Sequence, residues 1–112
     1  MGKINFHDFE IVISCNFIEV SFCVDNSEEY QNAWLGKMMD SETEQEVFWY
    51  GLTPDGSQAY DFATFDDFVN AKVFQGKSIK EIWGSISIFG LGGAPPEEML
   101  PLYLERSKEK LN

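Results

Sequence analysis

Apolar and polar residues alternate along the first part of the chain, and the phase of this alternation changes once. The apolar positions of the two runs are Phe9, Ile11, Ile13 and Cys15, then Ile18, Val20, Phe22 and Val24. A slip of one residue turns every strand side chain to the opposite face, so the chain must turn or bulge where the phase changes. The pattern predicts two strands, over 9–15 and 18–24, with the break at Asn16-Phe17.

A helical pattern follows. Ser27 is a favourable N-cap, and the two glutamates after it lie in a first turn, where the helix dipole favours negative charge. Side chains that suit one helix face then recur at helical spacing: Tyr30, Ala33, Trp34, Lys37 and Met38. We therefore predict a helix from Ser27 to Met39, followed by an acidic connection over Asp40–Glu46.

The middle of the chain carries the signature of a β-hairpin. Val47–Leu52 is apolar and aromatic, and Thr53–Gly56 reads Thr-Pro-Asp-Gly. Proline presets φ and glycine accepts a positive φ, which is what a tight turn requires. Alternation resumes over Ser57–Ala63. The sequence thus predicts two antiparallel strands joined by this turn.

Two further helices are indicated by their caps. Thr64 precedes two aspartates and an apolar stripe, which predicts a helix ending at Gly76. Ser78 and Glu81 have the spacing of a capping box, in which each side chain binds the other residue's backbone N–H. A short helix ending at Gly84 should follow.

The last third supplies one strand and one helix. Residues 85–89 alternate as a strand, Gly90–Gly93 forms a hinge, and a final helix begins near Leu100, because Pro101 is awkward further inside. With two hairpins and no βαβ alternation, 1–112 is predicted to be one α+β domain. We expect a mostly antiparallel sheet of about five strands, with three to four helices packed mainly on one face.

The charge balance narrows the range of partners that the protein could bind. Nineteen acidic residues stand against eight basic ones, a net charge of −11. Phosphates and anionic lipids would be repelled, so we expect neither nucleic acid nor membrane as a partner. A cationic protein would be attracted and its association accelerated. The alternative, that the acidity serves only solubility, stays open.

Side chains that carry chemistry are few. His7 is the only histidine, and Cys15 and Cys23 belong to no C-x-x-C motif, so we expect a surface histidine, a core Cys15 and a half-exposed Cys23. Gly90–Gly93 lacks the residues that complete a phosphate loop. We predict no enzymatic activity, cofactor or metal. The absence of a signal-peptide pattern and of a ~20-residue apolar run indicates a cytoplasmic protein.

Acidic and aromatic residues are the candidates for partner contact. Three consecutive aromatic residues on a strand cannot all face one core, so Trp49 is either buried under a helix or covered by a partner. The acidic stretch over Asp40–Glu46 is either a solvated loop or a binding surface. Metal binding at Asp61 is disfavoured because no EF-hand spacing is present. The candidate partner-binding residues are Asp40, Glu42, Glu44, Glu46, Trp49, Asp55 and Asp61.

One segment resembles a known family. Residues 65–83, and above all the F-x-G-K-S-x-x-E-I-W run from Phe74 to Trp83, resemble a stretch of the bacterial immunity proteins of polymorphic and contact-dependent growth inhibition toxin systems. The resemblance implies a small acidic protein that neutralises a cognate basic toxin, often a nuclease. The alternatives are an acidic DNA mimic that acts against host defence and a small ligand-binding domain.

Overall fold

The computed structural model of the protein describes residues 3–111, with side chains as far as Glu109, so Met1, Gly2 and Asn112 lie outside the described residues. Within that range the chain forms three α-helices, five strands and a 3₁₀ turn at Trp83–Ser85. In chain order the helices and strands are α1 (Phe6–Cys15), β1 (Ile18–Val24), β2 (Ala33–Met39), β3 (Glu46–Gly51), β4 (Ala59–Phe62), α2 (Phe65–Asn70), β5 (Ile86–Leu91) and α3 (Pro96–Leu111).

The five strands form one antiparallel sheet in the order β4-β3-β2-β1-β5. Strand β5 joins β1 from the far end of the chain, and a bulge between Ser21 and Phe22 shifts their register. The predicted α+β class and the antiparallel sheet of about five strands are confirmed. The predicted order of elements is wrong at its beginning, where the chain starts with a helix instead of a strand.

An aromatic core lies against one face of the sheet, which we call the inner face. Tyr50 stacks on Phe68 of α2 with ring centroids 4.3 Å apart, and Phe48 lies 5.5 Å from the same ring. The hydroxyl of Tyr50 donates a hydrogen bond of 2.8 Å to the carbonyl of Phe68. Helix α1 adds Phe9 and Ile13 to this core. Packing of helix residues on alternate strand residues thus excludes water from the inner face.

The predicted strand over 9–15 is wrong, since these residues belong to α1. Asn5 caps the helix, accepting a 2.8 Å hydrogen bond from the backbone N–H of Asp8. The buried residues are Phe9, Val12 and Ile13, a spacing of three and four that marks one helix face. Every second residue of this segment is also apolar, so its sequence fits the period of a strand as well as that of a helix. Val12 distinguishes the two, because a strand would place it on the face opposite Phe9 and Ile13.

The predicted helix from Ser27 to Met39 is also wrong. Ser27 closes only a turn, where its hydroxyl accepts the N–H of Tyr30 at 3.4 Å, and residues 33–39 form β2 in the middle of the sheet. Ala33 and Leu35 are buried on the inner face, while Trp34 between them is exposed. Pairing with β1 on one side and β3 on the other decides the conformation of this segment.

Lys37 occupies an inner-face position of β2 and is only 4% exposed. Its ammonium donates a 2.6 Å hydrogen bond to the carbonyl of Ser14 in the last turn of α1 and lies 3.6 Å from the carboxylate of Glu46. The rings of Phe17 and Phe48 lie 5.1 and 5.7 Å away. The cation therefore satisfies the negative end of α1 and connects that helix to the sheet.

Most of the remaining elements form as predicted but differ in length, and the predicted short helix before Gly84 is wrong. The hairpin β3–β4 and the cap of α2 by Thr64 are confirmed, but α2 ends at Asn70 instead of Gly76. The capping box forms with hydrogen bonds of 3.0 and 3.2 Å, yet opens only a turn that leads into the 3₁₀ segment. Helix α3 begins at Pro96, one turn before the predicted Leu100, and includes Pro101.

Replacing Tyr50 with phenylalanine tests the main polar contact of the core. The Tyr50→Phe variant leaves the buried carbonyl of Phe68 without its donor, so the free energy of unfolding should fall by about 1–3 kcal/mol in urea denaturation. Tyr60→Phe, on the exposed neighbouring strand, should change it by less than about 0.5 kcal/mol. Equal losses in the two variants would show that the buried hydrogen bond contributes nothing specific.

Candidate binding surface

The opposite side of strands β1–β4, which we call the outer face, carries large apolar side chains that the core does not use. Trp34 is 41% exposed and Met38 is 50% exposed, while Trp49 is half-buried. The alternation of the strands places the following residues on this face: Glu19, Trp34, Gly36, Met38, Trp49, Gly51 and Asp61. Exposed aromatic and methionine side chains that adjoin one another are typical of a protein-binding surface.

The absence of a side chain at Gly36 allows the indole of Trp49 to lie flat on the sheet. A Cβ atom on Gly36 would stand 2.3 Å from the carbonyl oxygen of Ile18 and 2.8 Å from Cζ2 of Trp49. A Cβ atom on Gly51 would stand 3.8 Å from Cζ3 of the same ring, which is ordinary contact. The indole therefore extends across β2 at Gly36, where any side chain would collide with it.

A shallow groove lies on each side of this indole, with volumes of about 480 and 530 Å³. Both grooves are lined by Trp49 and Glu19. Trp34 completes the first groove, whereas Phe17 and Met38 line the second. The outer face thus offers two adjacent recesses with aromatic and aliphatic walls and one carboxylate common to both.

Of the predicted partner-binding residues, the structure brings Trp49 and Asp61 together. They form a directly opposed pair on β3 and β4, so the carboxylate of Asp61 stands beside the indole on the outer face. Glu46 lies elsewhere, at the start of β3, where it approaches the buried ammonium of Lys37 at 3.6 Å. The carboxylate of Glu46 therefore already faces a cation of the same molecule, which reduces the charge that it can present to a partner.

The acidic connection has a structural role that its sequence did not reveal. The carboxylate of Asp40 accepts hydrogen bonds from the backbone N–H groups of Glu42 at 2.8 Å and Thr43 at 3.4 Å. Glu44 adopts a positive φ of 58°, and its N–H donates to the carbonyl of Asp40. Asp40 therefore shapes this loop, while the side chains of Glu42 and Glu44 are exposed.

Asp55 shapes the turn at the other end of β3. Its carboxylate accepts hydrogen bonds from the hydroxyl of Thr53 at 2.7 Å and from the N–H and hydroxyl of Ser57 at 3.0 and 2.8 Å. The Ser57 N–H contributes most to lowering the pKa of Asp55 to about 2. The six residues of β3 put roughly 20 Å between this turn and the acidic loop. The seven predicted residues are therefore spread along β3 instead of forming one cluster.

Sequence reasoning missed five residues of the outer face: Glu19, Trp34, Gly36, Met38 and Gly51. Three of them lie in β2, which the helical spacing had assigned to a helix. The available signal was the alternation of Ala33, Leu35 and Lys37 with the residues between them, together with a glycine in the centre of the run. Glycine in a strand interior often marks a close approach by another group.

The remaining candidates for chemistry are the single histidine and the two cysteines. His7 is exposed on α1, as predicted. Cys15 is half-buried and lies outside the core cluster, so its predicted core position is wrong. Cys23 is 7% exposed, so its predicted half-exposure is wrong, and burial and the neighbouring Asp25 raise the pKa of its thiol. Asp25 accepts hydrogen bonds from Lys3 at 2.6 Å and Ser87 at 2.7 Å, which lower the pKa of its carboxyl.

The described residues contain no group of three or more histidine, cysteine or acidic side chains arranged to hold a metal ion. Among residues 3–111, no helix combines the length and the apolar character needed to cross a bilayer.

Adding one methyl group to either glycine tests how Trp49 is held. Gly36→Ala forces the methyl against a backbone oxygen and the indole, so the free energy of unfolding should fall by about 1–3 kcal/mol and the near-ultraviolet tryptophan circular dichroism should change. Gly51→Ala, the matched control, should be neutral or stabilising by up to about 1 kcal/mol. The close approach is refuted if both variants retain the parent stability and spectrum.

Comparisons of the chain with protein-family models, with curated proteins and with solved structures give no match. The resemblance of residues 65–83 to immunity proteins therefore stays a prediction, and the outer face is the feature of the structure that bears most directly on function.

Proposed function

We propose that this chain is a non-catalytic inhibitor of the immunity type, which binds a cognate cationic toxin domain, such as a nuclease, and neutralises it. The observation that supports this proposal most directly is the outer face, where the exposed side chains of Trp34 and Met38 adjoin Trp49 and are bordered by Glu19 and Asp61. Apolar anchors flanked by two carboxylates suit a partner whose surface is basic and partly apolar.

The charge of the chain would govern how fast such a complex forms. A net charge of −11 on 112 residues attracts a cationic protein over distances near the Debye length, about 8–10 Å at ordinary salt. Steering of this kind raises the association rate and falls with ionic strength. Glu42 and Glu44 are exposed just before the start of β3, near Met38, and are placed to contribute to this steering.

The aromatic residues would govern how long the complex lasts. Tryptophan is enriched among the few interface residues that dominate binding energy, because a large rigid surface is buried at small entropic cost. Trp49 is held flat by its contacts over Gly36, so it needs no reordering on binding. We further propose that the inhibitor acts in the cytoplasm, which its sparse cysteine content supports.

The proposal is tested by capture from the source cells at low salt, followed by assay of what is captured. We expect a basic protein whose toxicity or enzymatic activity is lost when this chain binds it, and whose expression is tolerated by a cell only when this chain is co-expressed. Capture of an acidic or neutral protein, or of a basic protein that stays fully active in the complex, would contradict the proposal.

A matched pair of charge variants tests the acidic loop within that complex. The double variant Glu42→Lys, Glu44→Lys changes the charge by +2 at each position and takes the net charge from −11 to −7. This variant should associate roughly tenfold more slowly at low salt in stopped-flow measurements. Glu10→Lys with Glu109→Lys makes the same change on exposed positions of α1 and α3, and should slow association less. Equal rates in the two double variants would remove the loop from the interface.

A further inference from the structure

We propose that the groove between Trp34 and Trp49 binds an arginine side chain of the cationic partner, with the guanidinium against the indole of Trp49 and the carboxylate of Glu19 as its counter-ion. This inference rests on the proposed function and specifies the chemical group that the outer face recognises. For the remainder of this section we call the recess lined by Trp34, Trp49 and Glu19 the arginine groove.

Glu19 stands next to the indole because of the strand register. Gly36 of β2 is the partner of Glu19 on β1 and of Trp49 on β3, so these three residues form a row across the outer face. Since Gly36 has no side chain, the indole covers its position and reaches toward β1. A carboxylate and an aromatic face thus line the same recess without a side chain between them.

The carboxylate of Glu19 is available for such a contact. It is exposed, and among the side chains of residues 3–109 none makes a hydrogen bond or ion pair with it. Outside the strand ladder, the backbone carbonyl of Glu19 accepts the N–H of Gly92. Asp61 lies on the other side of the indole, directly opposite Trp49. Carboxylates on β1 and β4 therefore place a negative potential on both sides of the ring.

The groove walls favour a guanidinium over an ammonium. Guanidinium is planar, more weakly hydrated than ammonium, and stacks on aromatic faces while its N–H groups remain free to reach a carboxylate. Trp34 and Trp49 both line this groove. A lysine ammonium would gain the same charge contact with Glu19 but would lose more hydration and could not stack.

The neighbouring groove suits an apolar side chain instead. It is lined by Phe17 and Met38, and Lys37 also borders it. Ile18 and Met39 add further apolar surface to it, while the ammonium of Lys37 is turned to the inner face, where it contacts Ser14 and Glu46. Glu19 borders both grooves, but only the arginine groove also has Trp34 as a wall, so only there do two tryptophans adjoin that carboxylate.

The experiment is a nuclear magnetic resonance titration of the full chain at low salt with three capped pentapeptides, Gly-X-Gly-X-Gly, where X is arginine, lysine or citrulline. The indole N–H signals report the site, and Trp83 is an internal control because its indole donates a 2.7 Å hydrogen bond to the carbonyl of Ile4 on the other side of the molecule. We expect the arginine peptide to shift the signals of Trp34 and Trp49, and to bind three- to tenfold more tightly than the lysine peptide, with citrulline weakest.

Two variants with the same charge change complete the design. Glu19→Gln should weaken the arginine peptide three- to tenfold, whereas Glu10→Gln, on exposed α1, should leave its affinity within about twofold. Shifts confined to the acidic loop, or equal affinity for arginine and lysine, or equal effects of the two variants, would each overturn the arginine groove. None of these outcomes contradicts the proposed function, which fails separately if no basic protein is captured and neutralised.

Discussion

The outer face depends on one steric constraint, the absence of a side chain at Gly36. The space above this residue is bounded by a backbone oxygen of β1 and by the indole of Trp49, and both lie too close to admit a methyl group. The constraint holds the ring flat, opens a groove on either side of it, and leaves Glu19 adjacent to it across the sheet. The shape of the candidate binding surface thus follows from one glycine in the central strand of the sheet.

The two faces of β2 carry different kinds of side chain. On the inner face β2 buries Ala33 and Leu35 and brings Lys37 to the end of α1, where the ammonium satisfies a carbonyl that the helix leaves open. On the outer face it presents Trp34 and Met38 to solvent. A cation in the core and large apolar residues at the surface reverse the usual distribution. The cation caps a helix, and the exposed apolar residues are the basis of the proposed binding function.

Sequence signals correctly predicted the turns and helix caps whose hydrogen bonds join residues close together in the chain. The turn at Asp55, the cap at Thr64 and the capping box at Ser78 all form, because each is completed within a few residues. Residues 9–15 and 27–39 were assigned wrongly because their patterns satisfy both helical and strand periods, and only contacts with distant segments decide between them. In the candidate site, the run of three aromatic residues identified Trp49, whereas Trp34 and Glu19 required the strand register.

Hydroxyl-radical footprinting of the complex with the captured basic protein distinguishes the two sides of the molecule, because it reports side-chain burial residue by residue. If the partner covers the outer face, oxidation of Trp34, Trp49 and Met38 falls several-fold on binding, while Leu102, which is 57% exposed on α3, is oxidised as in the isolated chain. Protection of Leu102 with unchanged oxidation of both tryptophans would show that the partner binds the helical side and would refute binding at the outer face.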